Sequence, residues 1–159
     1  MTEIVHARSD EQIAEARRLF QEYANWLHTD LGIDLEFQNF SSELAGLPGE
    51  YSPPDGCLML ALCDHEVAGC IAVRDLGGGV CEMKRMYVRP GFRDRKIGRD
   101  LAKEAIAHAR AAGYRRMRLD TDSAMHAAIA LYRSLGFAGI GPYRHNPYPG
   151  AVFMELALT

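Results

Sequence analysis

No apolar run in this chain approaches the ~20 residues that a membrane-spanning helix needs, so no membrane partner is expected. Met1 to Asp10 lacks the apolar core of a secretory leader, and the chain reads as cytoplasmic. There is no surplus of positive charge: 18 lysines and arginines face 21 aspartates and glutamates, a net charge of -3. That balance argues against general nucleic-acid binding. Cysteine is sparse and unpatterned. Cys57, Cys63, Cys70 and Cys81 form no C-x-x-C pair and no common zinc spacing, so they read as small buried apolar side chains and no metal is expected. Two nucleotide motifs are also missing. No Gly-Lys-Ser/Thr Walker loop occurs, and Gly77-Gly78-Gly79 reads as a hairpin rather than a G-x-G-x-x-G strand-to-helix turn. ATP-binding and NAD-binding classes are set aside on those grounds.

What is present reads as one domain over residues 1–159, of ordinary globular composition, without repeats or long linkers. Glu3 to Ala7 is strand-like. Asp10 is a candidate helix N-cap, followed by Ile13, Ala16, Leu19, Phe20, Tyr23, Leu27 and Leu31 on one helical stripe. Leu35 to Leu47 is less regular and is expected to hold a second, short helix. Cys57 to Cys63, Val67 to Val73 and Val80 to Val88 read as three consecutive strands joined by hairpins at Asp64-His65-Glu66 and Gly77-Gly78-Gly79. Ile97, Leu101, Ala102, Ala105, Ile106 and Ala109 then recur at helical spacing until Gly113. Arg116 to Thr121 is strand-like and should lie parallel to the strand before that helix. A helix from about Ser123 to Leu135, with Gly136 at its left-handed end, and two final strands complete the chain. The expected fold is α/β, a mixed and mostly antiparallel central sheet flanked by helices in the order β-α-α-β-β-β-α-β-α-β-β. In the third of the hairpin strands, the alternation of Met83, Met86 and Val88 slips, and a β-bulge near Lys84-Arg85 would restore both faces.

The chemistry-bearing stretch is Glu82 to Gly98. A strand ends at Val88, Pro90-Gly91 turns, and Arg93, Arg95, Lys96 and Arg99 crowd the start of the next helix. Helix N-termini offer unpaired N–H groups and a positive dipole end, which suits phosphate-like anions. By charge alone the same residues could be an ordinary solvated basic loop.

Here the sequence resembles the GNAT superfamily of N-acetyltransferases. Arg93-Asp94-Arg95-Lys96-Ile97-Gly98 is similar to the family's Arg/Gln-x-x-Gly-x-Gly/Ala pyrophosphate loop, with Lys96 in place of the first glycine. Ala128-Ile129-Ala130-Leu131-Tyr132-Arg133-Ser134-Leu135-Gly136-Phe137 resembles its Ala-x-x-Leu-Tyr-x-x-x-Gly-Phe helix, and Met125 stands where an asparagine is often found. A side chain at 96 disfavours positive φ, and Asp94 is expected to turn outward. The resemblance implies an acetyl-CoA-dependent N-acetyltransferase acting on a small-molecule or amino-acid-like amine, with a homodimer expected. It implies acetyl-CoA contacts from Met86, Tyr87, Val88, Arg93, Asp94, Arg95, Lys96, Ile97, Gly98, Arg99 and Met125. Tyr132 is the implied general acid, since a phenol of ordinary pKa ~10 holds a proton to give. Glu82 is the candidate general base, or else the partner of a basic neighbour such as Lys84 or Arg85. Asp120 is a second candidate base or a structural hydrogen-bonder. Tyr23, Trp26, Asp120, Tyr143, His145 and Asn146, with Arg144 beside them, are the candidate acceptor site. Two alternatives stay open at this point: a protein or peptide N-acetyltransferase, and a CoA-binding sensor without turnover.

Overall fold

The computed structural model describes residues 1–159. Its strands are β1 (Thr2–His6), β2 (Cys57–Cys63), β3 (Glu66–Gly77), β4 (Val80–Val88), β5 (Arg116–Asp122), β6 (Ala138–Ile140) and β7 (Ala151–Ala157). Its helices are α1 (Asp10–Leu31), α2 (Phe40–Ala45), α3 (Ile97–Ala111) and α4 (His126–Ser134). The α/β order matches the expected one. All seven strands form one sheet in the order β1-β2-β3-β4-β5-β7-β6. Every neighbouring pair is antiparallel except β4 with β5.

Both faces of the sheet are covered, which is why β2 reads as an unbroken apolar run rather than an alternating one. Cys57, Met59, Ala61 and Cys63 pack with α3 residues Ile97, Leu101, Ala105 and Ala109 on one face. Leu58 and Leu60 pack with Ala16, Leu19, Phe20 and Leu27 of α1 on the other. All four cysteines are buried free thiols. Burial pushes the thiols of Cys57 and Cys81 up to about 12. No helix is long and apolar enough to cross a membrane.

The strand β3 runs on to Gly77, past the expected Val73, and β1 lies one residue earlier than expected. Two helix starts also differ from expectation, both through local side-chain chemistry. The N-cap of α1 is Ser9, not Asp10. Ser9 Oγ accepts the Gln12 N–H at 3.1 Å, and Gln12 Oε1 accepts the Ser9 N–H at 3.1 Å, a reciprocal capping box. Asp10 instead adds negative charge to the first turn. Helix α4 starts at His126 rather than near Ser123. The Asp122 carboxylate accepts the Ala124 N–H at 2.9 Å and so holds a turn ahead of the helix. At its other end Gly136 is left-handed (φ +105°), and Phe137 packs edge-on against Tyr132 with centroids 5.7 Å apart.

The feature that makes a site is the parting of β4 from β5. They pair only at Val80/Arg116, Cys81/Met117 and Glu82/Arg118. Beyond Glu82, β4 keeps its partner β3 but presents its other edge unpaired by β5. The register of β3 with β4 slips between Cys70/Tyr87 and Ala72/Lys84, and Arg85 is left-handed (φ +61°), so the bulge lies where the broken alternation placed it. Its consequence is that Met83, Met86 and Val88 all belong to the α3 face, while the bulge residue Arg85 joins Lys84 against the α2 side.

Candidate active site

A left-handed arginine costs roughly 1–2 kcal/mol, and here it is held from several directions at once. Arg85 Nε and Nη2 donate to the two carboxylate oxygens of Glu43 at 2.9 Å each. Nη2 also donates to Gln38 Oε1 at 2.9 Å, and the guanidinium lies 5.2 Å from the Phe40 ring centroid. Burial disfavours the Arg85 charge, but Glu43 outweighs that and holds it protonated. Lys84, the residue before it, donates from Nζ to the same Gln38 oxygen at 2.7 Å. Burial, then the nearby Arg85 charge, depress the Lys84 ammonium to about 7.

Glu82 is fully buried (0% exposed). Arg74 Nε donates to its Oε1 at 2.8 Å, Tyr143 Oη to its Oε2 at 2.5 Å, and Arg144 Nη1 to Oε2 at 3.0 Å. Burial alone would raise its pKa. Lys84, Arg74, the Tyr143 hydroxyl and Arg144 together outweigh burial and hold it down at about 2. A carboxylate so held is a poor proton acceptor near neutral pH, and Glu82 is not among the residues lining the adjoining cleft. The candidate base from sequence is therefore placed as the anchor of an ion-pair knot; of the two basic neighbours it could have paired with, Lys84 stands 3.8 Å away and Arg85 goes to Glu43.

The cleft opens where β4 and β5 part. Tyr23, Leu27 and Phe37 line one part of it, Lys84, Arg85 and Met86 of β4 another, and Leu119 to Asp122 of β5, Met125, Tyr132, Asn146 and Tyr148 the rest. Tyr132 is buried, and its hydroxyl has no hydrogen-bond partner in the chain; burial and then Tyr23 raise its pKa, so it keeps its proton. Burial likewise pushes Tyr23 up to about 12. Asp120 is half-buried, and its carboxylate accepts one hydrogen bond, from Asn146 Nδ2 at 3.2 Å. The segment between β6 and β7 straps this region. Asn146 reaches Asp120, Tyr148 accepts the Asp34 N–H at 2.7 Å, and the Tyr148 ring stands edge-on to Phe37.

A second groove runs from the cleft toward the basic loop. It is lined by Trp26, Met86, Tyr87, Val88, Arg93, Gly98 and the first turns of α4, and it shares Tyr23, Met86 and Met125 with the cleft. Arg93 donates from Nε to the Val88 carbonyl at 3.1 Å and lies over the Trp26 ring. Gly98 leaves the floor open. A Cβ there would sit 3.8 Å from each of Leu131, Met86 and Val88 and fill the space. The loop before α3 takes the glycine-like conformation without glycines: Asp94 (φ +68°) and Lys96 (φ +60°) are both left-handed, contrary to the expectation for Lys96, and Asp94 is exposed as expected. An unpaired strand edge, a bare floor and a cationic helix start fit a long ligand with an anionic end, as coenzyme A is.

The predicted residues divide accordingly. Tyr23, Trp26, Met86, Tyr87, Val88, Arg93, Gly98, Asp120, Met125, Tyr132 and Asn146 come together around the two connected spaces. Ile97 is buried in the α3 core, so only its backbone is available. Arg95 leans on Phe92 and Cys63, and Arg99 donates to Ser134. Tyr143 is spent on Glu82, and His145 is exposed outside the cleft. Sequence reading missed Gln38, Lys84, Arg85 and Tyr148 as wall residues. Two adjacent cations inside an apolar strand were the available signal for the middle two; Gln38 and Tyr148 carried none.

Comparison with known proteins agrees with this architecture. An uncharacterized N-acetyltransferase of Schizosaccharomyces pombe is 42% identical over 94% of this chain and 90% of its own length. A GNAT-family acetyltransferase of Staphylococcus aureus Mu50 superposes with a TM-score of 0.81 at 19% identity, over the whole of both chains. The PaiA N-acetyltransferase of Thermoplasma acidophilum, solved in complex with coenzyme A, superposes at 0.76 with 20% identity over 99% of both. Residues 13–137 match the acetyltransferase (GNAT) family model, and with the splayed β4–β5 pair in place the chain belongs to that family of N-acetyltransferases.

Proposed function

We propose that this protein transfers the acetyl group of acetyl-CoA to the amine of a small, amino-acid-like acceptor by direct attack on the thioester. The observation that carries this reading is the meeting of two spaces, a groove ending at a cationic helix start and a strapped cleft, at Met86, Met125 and Tyr23 beside the unpartnered Tyr132 hydroxyl. Acetyl-CoA, when bound, supplies an activated acetyl carbonyl and a thiolate leaving group. The residues of this chain divide the remaining work. The free edge of β4 at Met86 to Val88 pairs with the extended arm, and a backbone N–H near Met86 faces the carbonyl oxygen as negative charge develops there. Asp120, directly or through one water, takes the proton from the attacking nitrogen as the C–N bond forms. Tyr132 returns a proton to the sulfur as the C–S bond breaks, so no net proton is lost.

Asp120 replaces Glu82 in this scheme because it lines the cleft and accepts a single hydrogen bond from the chain, whereas Glu82 is held by two arginines and a tyrosine. The strap from Asn146 to Tyr148 supports a small acceptor over a protein tail, since it narrows the space around the acceptor. The test is thiol release from acetyl-CoA across a panel of amines, with calorimetry of coenzyme A alongside. Saturable release with amino-acid-like amines is expected. Absence of any association with coenzyme A would remove the reading altogether, and tight association without release on any amine would favour a sensor.

A further inference from the structure

The wall of the acceptor cleft holds a cation with hydrogens to spare. The Lys84 side chain is only 4% exposed, yet the residue lines both the cleft and a polar depression on its outer side, bordered by Arg74 and Arg144. An ammonium has three hydrogens to donate. One goes to Gln38 Oε1 at 2.7 Å. Glu82 Oε1, at 3.8 Å, lies beyond hydrogen-bond length. Two hydrogens thus lack an acceptor in the chain, a costly state for a buried charge.

The charges around it do not balance. Arg74, Lys84, Arg85 and Arg144 make four cations against three carboxylates, Glu43, Glu50 and Glu82. Glu43 is taken up bidentately by Arg85, Glu50 pairs with Arg74, and Glu82 is hydrogen-bonded by Arg74 and Arg144. Lys84 shares Glu82 with these two arginines only at 3.8 Å, outside hydrogen-bond length, which leaves it the least neutralised of the four cations. On the neighbouring strand β5, Asp120 and Asp122 also line the cleft. One wall is therefore cationic and the adjoining wall anionic, with Leu27, Ile33, Leu35 and Phe37 supplying apolar surface between α1 and the segment that follows it.

We infer that the acceptor is an amine that also bears a carboxylate, and that Lys84 is the specificity-determining residue that binds this carboxylate while the β5 wall receives the nitrogen. The inference rests on the reading of this cleft as the acceptor site. It also gives the bulge a role, since Arg85 takes up Glu43 and leaves Lys84 with only the distant, shared Glu82 as counter-charge on that wall.

The experiment is calorimetric titration of CoA-saturated protein with amino acids bearing apolar and aromatic side chains, each beside its carboxamide, for wild type and Lys84→Met. Acids are expected to bind at least about tenfold more tightly than amides, as a charge-assisted contact in a desolvated site requires. In Lys84→Met that preference should vanish while amide and coenzyme A affinities stay within about twofold, the size of change expected of a site left otherwise intact. Equal binding of acids and amides, no binding of any acid, or a preference untouched by the substitution overturns the inference. Lys84→Gln gives the same comparison if methionine is not tolerated, and the wild-type preference stands as a test without either variant. Thiol release separates the two layers. Acid binding without release sinks acetyl transfer and leaves the carboxylate site standing; release on amines with no preference for acids does the reverse.

Discussion

Glu82 on β4 and Asp120 on β5 stand on neighbouring parallel strands and on the same face of the sheet, opposite Cys81, Met83, Met117 and Leu119. Their surroundings differ sharply. Glu82 lies within the last backbone pair that joins the strands, is fully buried, and is gripped by Arg74, Arg144 and Tyr143. Asp120 lies two residues past the last paired position on β5, lines the cleft and accepts a single amide hydrogen bond. Where the sheet is closed, a carboxylate has to be neutralised and becomes architecture. Where the strands part, it can meet a ligand.

Substitution of the two residues should therefore produce opposite phenotypes. Asp120→Asn is expected to lower kcat by about 10²–10⁴-fold, the usual worth of a general base, with the unfolding transition within about 0.5 kcal/mol of wild type, as for a residue outside the core network. Glu82→Gln should do the converse. It leaves the half-buried Arg74 and Arg144 and the buried Lys84 without their counter-charge and should cost about 3–5 kcal/mol of stability, read as a lower urea midpoint, while folded molecules keep the ascending, low-pH limb of the pH–rate profile that reports the general base. If Glu82→Gln instead abolishes that limb at unchanged stability, Glu82 is the base and the comparison inverts. Tyr132→Phe ranks next. A thiolate with an ordinary pKa of ~8.5 leaves tolerably without help, so kcat should fall toward the low end of acid–base effects, by about 10²-fold, at unchanged coenzyme A affinity in calorimetry.

Acid titration sharpens the same contrast without mutation. The Glu82 pKa is held at about 2, below the ordinary 4.5. A depressed folded-state pKa contributes stability that is fully present above 4.5 and is lost as pH falls toward 2. Chemical denaturation across that window should show a steep loss in wild type, and the slope should be shallower in Glu82→Gln. An identical slope in both proteins would mean that the knot carries no linked proton.

The sequence made much of this legible and stopped at identifiable places. Periodicity marked α1 and α3, unbroken apolar runs marked β2 and β3, and broken alternation at Met83 and Met86 marked the bulge, since each of these signals is local. The partners of Arg85 and Lys84 were not legible. Glu43 and Gln38 sit on or before α2, in an irregular stretch some forty residues away, and only the folded chain brings them to β4. Glu82 shows a subtler failure. A charged residue inside a strand does signal something, but whether it is a base or a neutralised anchor depends on Arg74, Tyr143 and Arg144, contributed by two other parts of the chain. The loop before α3 was readable as cationic, yet its left-handed Lys96 was not, because nothing local stabilises that conformation in a lysine.

Where that loop meets α3 the contrast between closed and open regions recurs at its smallest scale, in Arg93 of the loop and Ile97 at the start of the helix. Ile97 is buried against the sheet, so Ile97→Ala should act on stability through a cavity. Arg93 is exposed at the rim of the groove, held by the Val88 carbonyl and the Trp26 ring. An exposed cation is worth about 0.2–1 kcal/mol to an anionic partner, so Arg93→Ala should weaken coenzyme A binding by only about 1.5- to 5-fold. The informative reading is its salt dependence. Screening acts on exposed charges over about 10 Å at 0.1 M ionic strength, so affinity should fall less steeply with added salt in Arg93→Ala than in wild type, at equal thermal stability. Parallel salt curves would show that the anionic end of the ligand docks away from Arg93, and would shift that role to Lys96 or Arg99 on the same helix start.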